Sequence, residues 1–218
     1  MNELLRVACP GNDIFLNTTE QPHITAYLTE FEDTDAVVEA VSGVVDGILP
    51  QGECEIYLED ITVSGCYVLW EVRSNTCLQA ISDTVVNVTS KYIVPDQPIP
   101  GWVEDLSEPE RSIKEVLIKE YGSPNVYSQF SPHVTVGYDC TPGCMENALA
   151  DAAASHSLPN VTPFDPSILG VGMTGDYGTV LRGDDLEDFK MSAGTNLNPA
   201  QYAVAGDITR YLSQETNQ

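Results

Sequence analysis

A short pattern occurs twice and constrains this chain more than any other feature. Pro22-His23-Ile24-Thr25 and Pro132-His133-Val134-Thr135 stand 110 residues apart and hold two of the chain's 3 histidines. In a strand, residues two apart share a face. His23 therefore projects with Thr25, and His133 with Thr135. Ile24, Ala26 and Leu28 turn toward a core, as do Val134, Val136 and Tyr138. An imidazole beside a hydroxyl, presented twice, suits general acid and base chemistry at a phosphodiester.

The similarity extends beyond the motif. With the same shift, Ser64-Gly65-Cys66-Tyr67 falls on Thr174-Gly175-Asp176-Tyr177 without a gap. After His23 the pattern predicts a strand (23–31), an apolar-periodic helix (Thr34 to Ile48) and a hairpin (Glu53 to Arg73) turning at Ser64-Gly65. After His133 it predicts a strand (131–138), a helix (Pro142 to His156) and a hairpin (Pro166 to Arg182). Two copies imply a pseudo-symmetric domain rather than a solenoid. Further helices are expected over Thr76 to Ile93 and from Ser107 to Tyr121. Pro95 to Trp102, with three prolines and a glycine, reads as the linker. The expected organisation is one domain over 1–183 and a tail over 184–218, acidic first and then weakly helical. The tail's acidic cluster lacks the glycine and spacing of an EF-hand loop, so it reads as a solvated face.

Composition bounds the function. The formal net charge is −24, from 9 basic and 33 acidic residues. Affinity for long nucleic acids rests on Lys and Arg neutralising phosphates, so duplex DNA is an unsuitable partner. A small nucleotide or an RNA end remains compatible. No stretch approaches the roughly 20 apolar residues of a membrane helix, and Met1 to Pro10 does not read as a secretory signal. The expectation is a cytoplasmic protein, with secretion as the alternative if a signal was removed. The 6 cysteines contain no C-x-x-C pair and suit no standard zinc site. Cys54 with Cys66, on one hairpin, and Cys140 with Cys144, around a turn, are candidate bridges in an oxidising compartment; otherwise all six are thiols. Glycosylation sequons at Asn17, Asn87 and Asn160 add weight to the secreted alternative.

The doubled His-aliphatic-Thr, each copy followed by helix and hairpin, resembles the 2H phosphoesterase superfamily, which includes 2′-5′ RNA ligase-like proteins and cyclic nucleotide phosphodiesterases. The resemblance spans Ile14 to Arg182. It implies an α+β fold, bilobal and pseudo-two-fold symmetric, with antiparallel sheets flanked by helices and the two motifs facing across a central cleft. It implies a phosphodiesterase, free of metal and cofactor, acting on 2′,3′-cyclic phosphates or on 2′-5′-linked or cyclic small nucleotides. His23 and His133 become the catalytic pair, Thr25 and Thr135 the phosphate-contacting hydroxyls. Tyr27, two residues past Thr25, is expected on the same face as a base-stacking or phosphate-binding group. Gly137, at the matching offset, is expected to leave room for ligand, with Tyr138 in the core. Arg73, Arg182, Lys91 and Lys119 are the cations near these elements and read more simply as surface charges, as does His156. The alternative is a catalytically inactive nucleotide-binding or scaffold protein that keeps the fold.

Overall fold

The computed structural model describes residues 1–16, 18–49, 54–155 and 163–193. His156, the sequons at Asn17 and Asn160, and the tail beyond 193 lie outside the described residues. The described chain is α+β. Its helices are α1 (Asn2–Ala8), α2 (Thr34–Val45), α3 (Thr76–Thr89), α4 (Gly101–Glu104), α5 (Glu110–Tyr121) and α6 (Cys144–Ala154).

Local chemistry accounts for the helix ends. The Asp33 carboxylate accepts from the Ala36 N–H at the start of α2, and the Asn75 side chain accepts from the Leu78 N–H at the start of α3. Val37, Val41 and Val45 form the buried stripe of α2; Leu78, Ile81, Val85 and Val86 lie on that of α3. Helix α5 ends at Gly122 with φ 65°, where any Cβ would run into Thr29 and Gln97. The Pro95–Trp102 linker runs into α4, a single turn that begins at Gly101.

The strands are β1 (Asp46–Leu49), β2 (Leu58–Ser64), β3 (Tyr67–Val72), β4 (His133–Tyr138), β5 (Ile168–Thr174), β6 (Val180–Lys190) and β7 (Ser192–Ala193). β2, β3 and β4 make one antiparallel sheet and β5 with β6 another, while β1 pairs in parallel with β7. The helix expected to reach Ile48 thus stops at Val45, because its last residues pair with β7. The acidic start of the expected tail is the second half of β6.

The two halves exchange partners. The β2–β3 hairpin, from before the linker, receives β4 from after it. Conversely, the β6 arm of the later hairpin lies along the chain that leads into the first motif. Glu20 bridges Leu181, Gln21 N–H donates to the Val180 carbonyl at 2.8 Å, and Arg182 N–H donates to the Thr19 carbonyl at 2.8 Å. Each histidine motif is therefore held by the hairpin of the other half.

Candidate active site

Strand β4 carries the second motif in a regular ladder. β3 runs unbulged from Tyr67 to Val72, so Tyr67, Leu69 and Glu71 share one face and Val68, Trp70 and Val72 the other. The register sets Glu71 opposite His133, Leu69 opposite Thr135 and Tyr67 opposite Tyr138. One face of the sheet thus displays three rungs: Glu71–His133, Leu69–Thr135 and Tyr67–Tyr138. Val134 and Val136 pack into the core behind them.

The expected alternation fails at one residue. Between Val68↔Gly137 and Leu69↔Thr135, β4 advances two residues while β3 advances one, which makes Val136 a bulge. Beyond it the sides exchange. Gly137 faces the core, where a Cβ would meet Leu5 Cδ1 at 3.0 Å and Met145 Cε at 3.2 Å. Tyr138 comes to the face of His133. The sequence reading of both residues is corrected accordingly: Gly137 makes room for packing, and Tyr138 is a site-face residue.

The first motif is not a ladder strand over 23–31. A bend at Ala26 ends its alternation. His23 is 8% exposed and Thr25 half-buried, but Tyr27 turns inward and Leu28 outward, at 1% and 39% exposure. Tyr27 packs edge-on to Phe31, and its hydroxyl donates to the Tyr121 carbonyl. It is a core residue, and the expectation that it contacts substrate is corrected. Tyr27→Phe is expected to cost about 1 kcal/mol, the net value of one such hydrogen bond. Urea unfolding should register that loss.

The two imidazoles are fixed in the same way. His23 Nδ1 lies 3.0 Å from the Gln21 carbonyl oxygen, and His133 Nδ1 lies 2.9 Å from the Ser131 carbonyl oxygen. A carbonyl only accepts, so in neutral His133 Nδ1 carries the proton and Nε2 is the basic nitrogen, while the His23 ring meets two backbone acceptors, Gln21 and Gly178. Although 110 residues apart in sequence, the rings are within electrostatic reach. Burial, joined by the charge on His133, lowers the His23 pKa from 6.5 to about 4 against the raising effect of backbone bonds to Gln21 and Gly178. His133 is half-buried at the surface.

This asymmetry has a sign in stability. Between pH 6.5 and about 4, unfolded His23 takes up a proton that folded His23 refuses. Stability is therefore fully present above pH 6.5 and falls as pH drops toward 4. The loss is on the order of 3 kcal/mol. Urea unfolding at pH 7 and pH 4.5 should show the fall, and His23→Gln should flatten it.

An aromatic group that the sequence reading did not assign lies beside these residues. Tyr138 stacks on Tyr177 with centroids 3.9 Å apart, and Tyr67 meets Tyr138 edge-on at 4.8 Å. Tyr177 sits in the turn Asp176–Gly178, next to the glycine whose backbone bonds His23. A signal for it was present: the internal repeat aligns Tyr67 with Tyr177.

All six cysteines are paired, but neither expected pair forms. Cys66 occupies the hairpin turn, while Cys54 precedes β2 at the other end of an arm seven residues long, roughly 23 Å. The bonds are Cys9–Cys144, which ties α1 to α6, Cys54–Cys77, and Cys66–Cys140, which joins the β2–β3 turn to the end of β4. Cys9, Asp139 and Cys144 are the one cluster of metal-ligand type among the described residues, and its sulfurs are the first of these disulfides. Of the cations, Arg73 is paired with Glu59 and lies over Tyr57, and Lys91 lies over Tyr92.

No family model, curated protein or solved structure matches this chain.

Proposed function

We propose that the chain is a phosphodiesterase of the 2H phosphoesterase kind, hydrolysing a 2′,3′-cyclic phosphate or a 2′-5′-linked or cyclic small nucleotide with His23 and His133. One observation carries the reading. Two imidazoles from distant parts of the sequence, each held by a carbonyl two residues earlier, lie within electrostatic reach of each other. The exchanged hairpins support a pseudo-two-fold arrangement of the two motifs around them.

His23, kept neutral by burial, is the base that takes a proton from water. His133 at the surface gives a proton to the leaving ribose oxygen. Thr25 and Thr135 hold the non-bridging phosphate oxygens for in-line attack. Each proton transfer contributes ~10²–10⁴-fold. The three disulfides favour an oxidising compartment, and with it secretion over the cytoplasm. Among the described residues no helix is long and apolar enough to cross a membrane.

A non-catalytic nucleotide-binding role is the second reading, favoured by the low exposure of His23 and the Gly178 backbone against its ring. Both readings are tested by one product assay in EDTA on nucleoside 2′,3′-cyclic monophosphates, 2′-5′-linked dinucleotides and a 3′-5′ cyclic dinucleotide. Turnover of any of them that is lost in His23→Ala supports the two-histidine enzyme. Calorimetric binding without turnover supports the binding role, and turnover that survives in His23→Ala refutes the mechanism.

A further inference from the structure

We propose that Tyr67, Tyr138 and Tyr177 form a shelf that stacks on the base of a purine nucleotide whose phosphate lies at Thr135 and the histidines. The proposal rests on the phosphodiester reading above and names the part of the substrate that reading leaves open.

The spacing fits. Along β3, successive rungs of this face are two residues apart, roughly 7 Å, and the Val136 bulge lets Tyr138 keep pace with Tyr67 on β4. The tyrosine rung is one rung from Leu69–Thr135 and two from Glu71–His133. A ribose bridging one rung sets its phosphate at Thr135 and its base on the aromatic rings. The turn that supplies Tyr177 also supplies Gly178 to His23, so shelf and imidazole share a support.

The rings are held in advance of any ligand. The Cys66–Cys140 bond clamps the two strand ends that carry Tyr67 and Tyr138. The Tyr177 hydroxyl donates to an Asp13 carboxylate oxygen at 3.2 Å. Tyr177 also keeps φ 59°, a region that bulky side chains rarely adopt. Rings needed only for the core would be covered, as Tyr27 is at 1% exposure; Tyr67, Tyr138 and Tyr177 are all half-buried.

The charge balance points the same way. On a chain of net charge −24, affinity for a nucleotide has to come from its least charged part. Base–aromatic stacking provides that without lysine or arginine. A purine offers the larger π-face.

The test uses Tyr177→Asn, since asparagine tolerates positive φ while the ring is removed. KM for adenosine 2′,3′-cyclic phosphate should rise tenfold to a hundredfold, on the order expected for one stacked base. KM for the base-free methyl riboside 2,3-cyclic phosphate should not move, and Tyr67→Leu should repeat the pattern. Equal rises on both esters, or no rise on either, would overturn the shelf while leaving the histidine mechanism standing. Should neither ester be turned over, the mechanism fails separately, and calorimetry with adenosine 2′-monophosphate judges the shelf. Weaker binding to Tyr177→Asn than to wild type upholds it. Equal binding, or none to wild type, removes it.

Discussion

Replacing His133 with alanine should lower phosphodiester turnover by roughly 10²–10⁴-fold and leave the protein folded. The second half of that expectation follows from position. His133 is half-buried at the start of β4, and its one named bond is to the exposed Ser131 carbonyl, which water can satisfy instead. The backbone ladder to Glu71 does not depend on the side chain. His23→Ala should cost comparable activity, but it also empties a site of 8% exposure and so mixes loss of chemistry with loss of packing. His133 is the cleaner probe for that reason. The measurement is kcat in EDTA beside a urea midpoint. An unchanged kcat would remove His133 from the mechanism; a lost kcat with a collapsed midpoint would assign it to the fold instead.

The second large effect is on stability. Converting Cys66 and Cys140 together to alanine should cost about 2–5 kcal/mol, the usual range for a native disulfide. The bond closes a loop with a sequence separation of 74, and without it the unfolded chain gains the freedom that the bond denies. In a chain of this size that corresponds to a Tm lower by on the order of 10 °C. Differential scanning calorimetry of wild type and the double variant measures it. A shift of under a degree would mean that the ladder alone holds β3 to β4. Base affinity should weaken along with stability, because Tyr67 and Tyr138 lose their clamp.

Much of this organisation was legible in the residues, and the parts that were not share a cause. The hairpin turning at Ser64-Gly65, the helix over Thr34–Val45 and the His133–Thr135 face follow from local periodicity and turn chemistry. Periodicity carries a prediction forward only while its phase is kept. The bend at Ala26 reversed Tyr27 and Leu28, and the bulge at Val136 reversed Gly137 and Tyr138. Neither break has a strong local signature. They are set by what the other side must accept: the Tyr121 carbonyl for Tyr27, and Leu5 and Met145 against Gly137. Cysteine pairing was closed to sequence reasoning for a related reason. Cys66 and Cys140 become neighbours only once β4 has docked on β3 across the linker. The unequal burial of the two histidines was equally hidden, since their motifs are nearly identical and His23 is buried while His133 is half-buried.

Seen as a covalent graph, the three disulfides draw rings over residues 9–144, 54–77 and 66–140. The last two interlock rather than nest, and the one stretch that belongs to all three is 66–77. Strand β3 lies within it. The strand that faces His133 with Glu71, Thr135 with Leu69 and Tyr138 with Tyr67 is thus the most tightly circumscribed part of the oxidised chain, even when the chain is unfolded. A single backbone cut between Cys77 and Cys140 would still leave one molecule, joined twice. Its ends could part widely at the linker, while β3 stayed tethered to the end of β4.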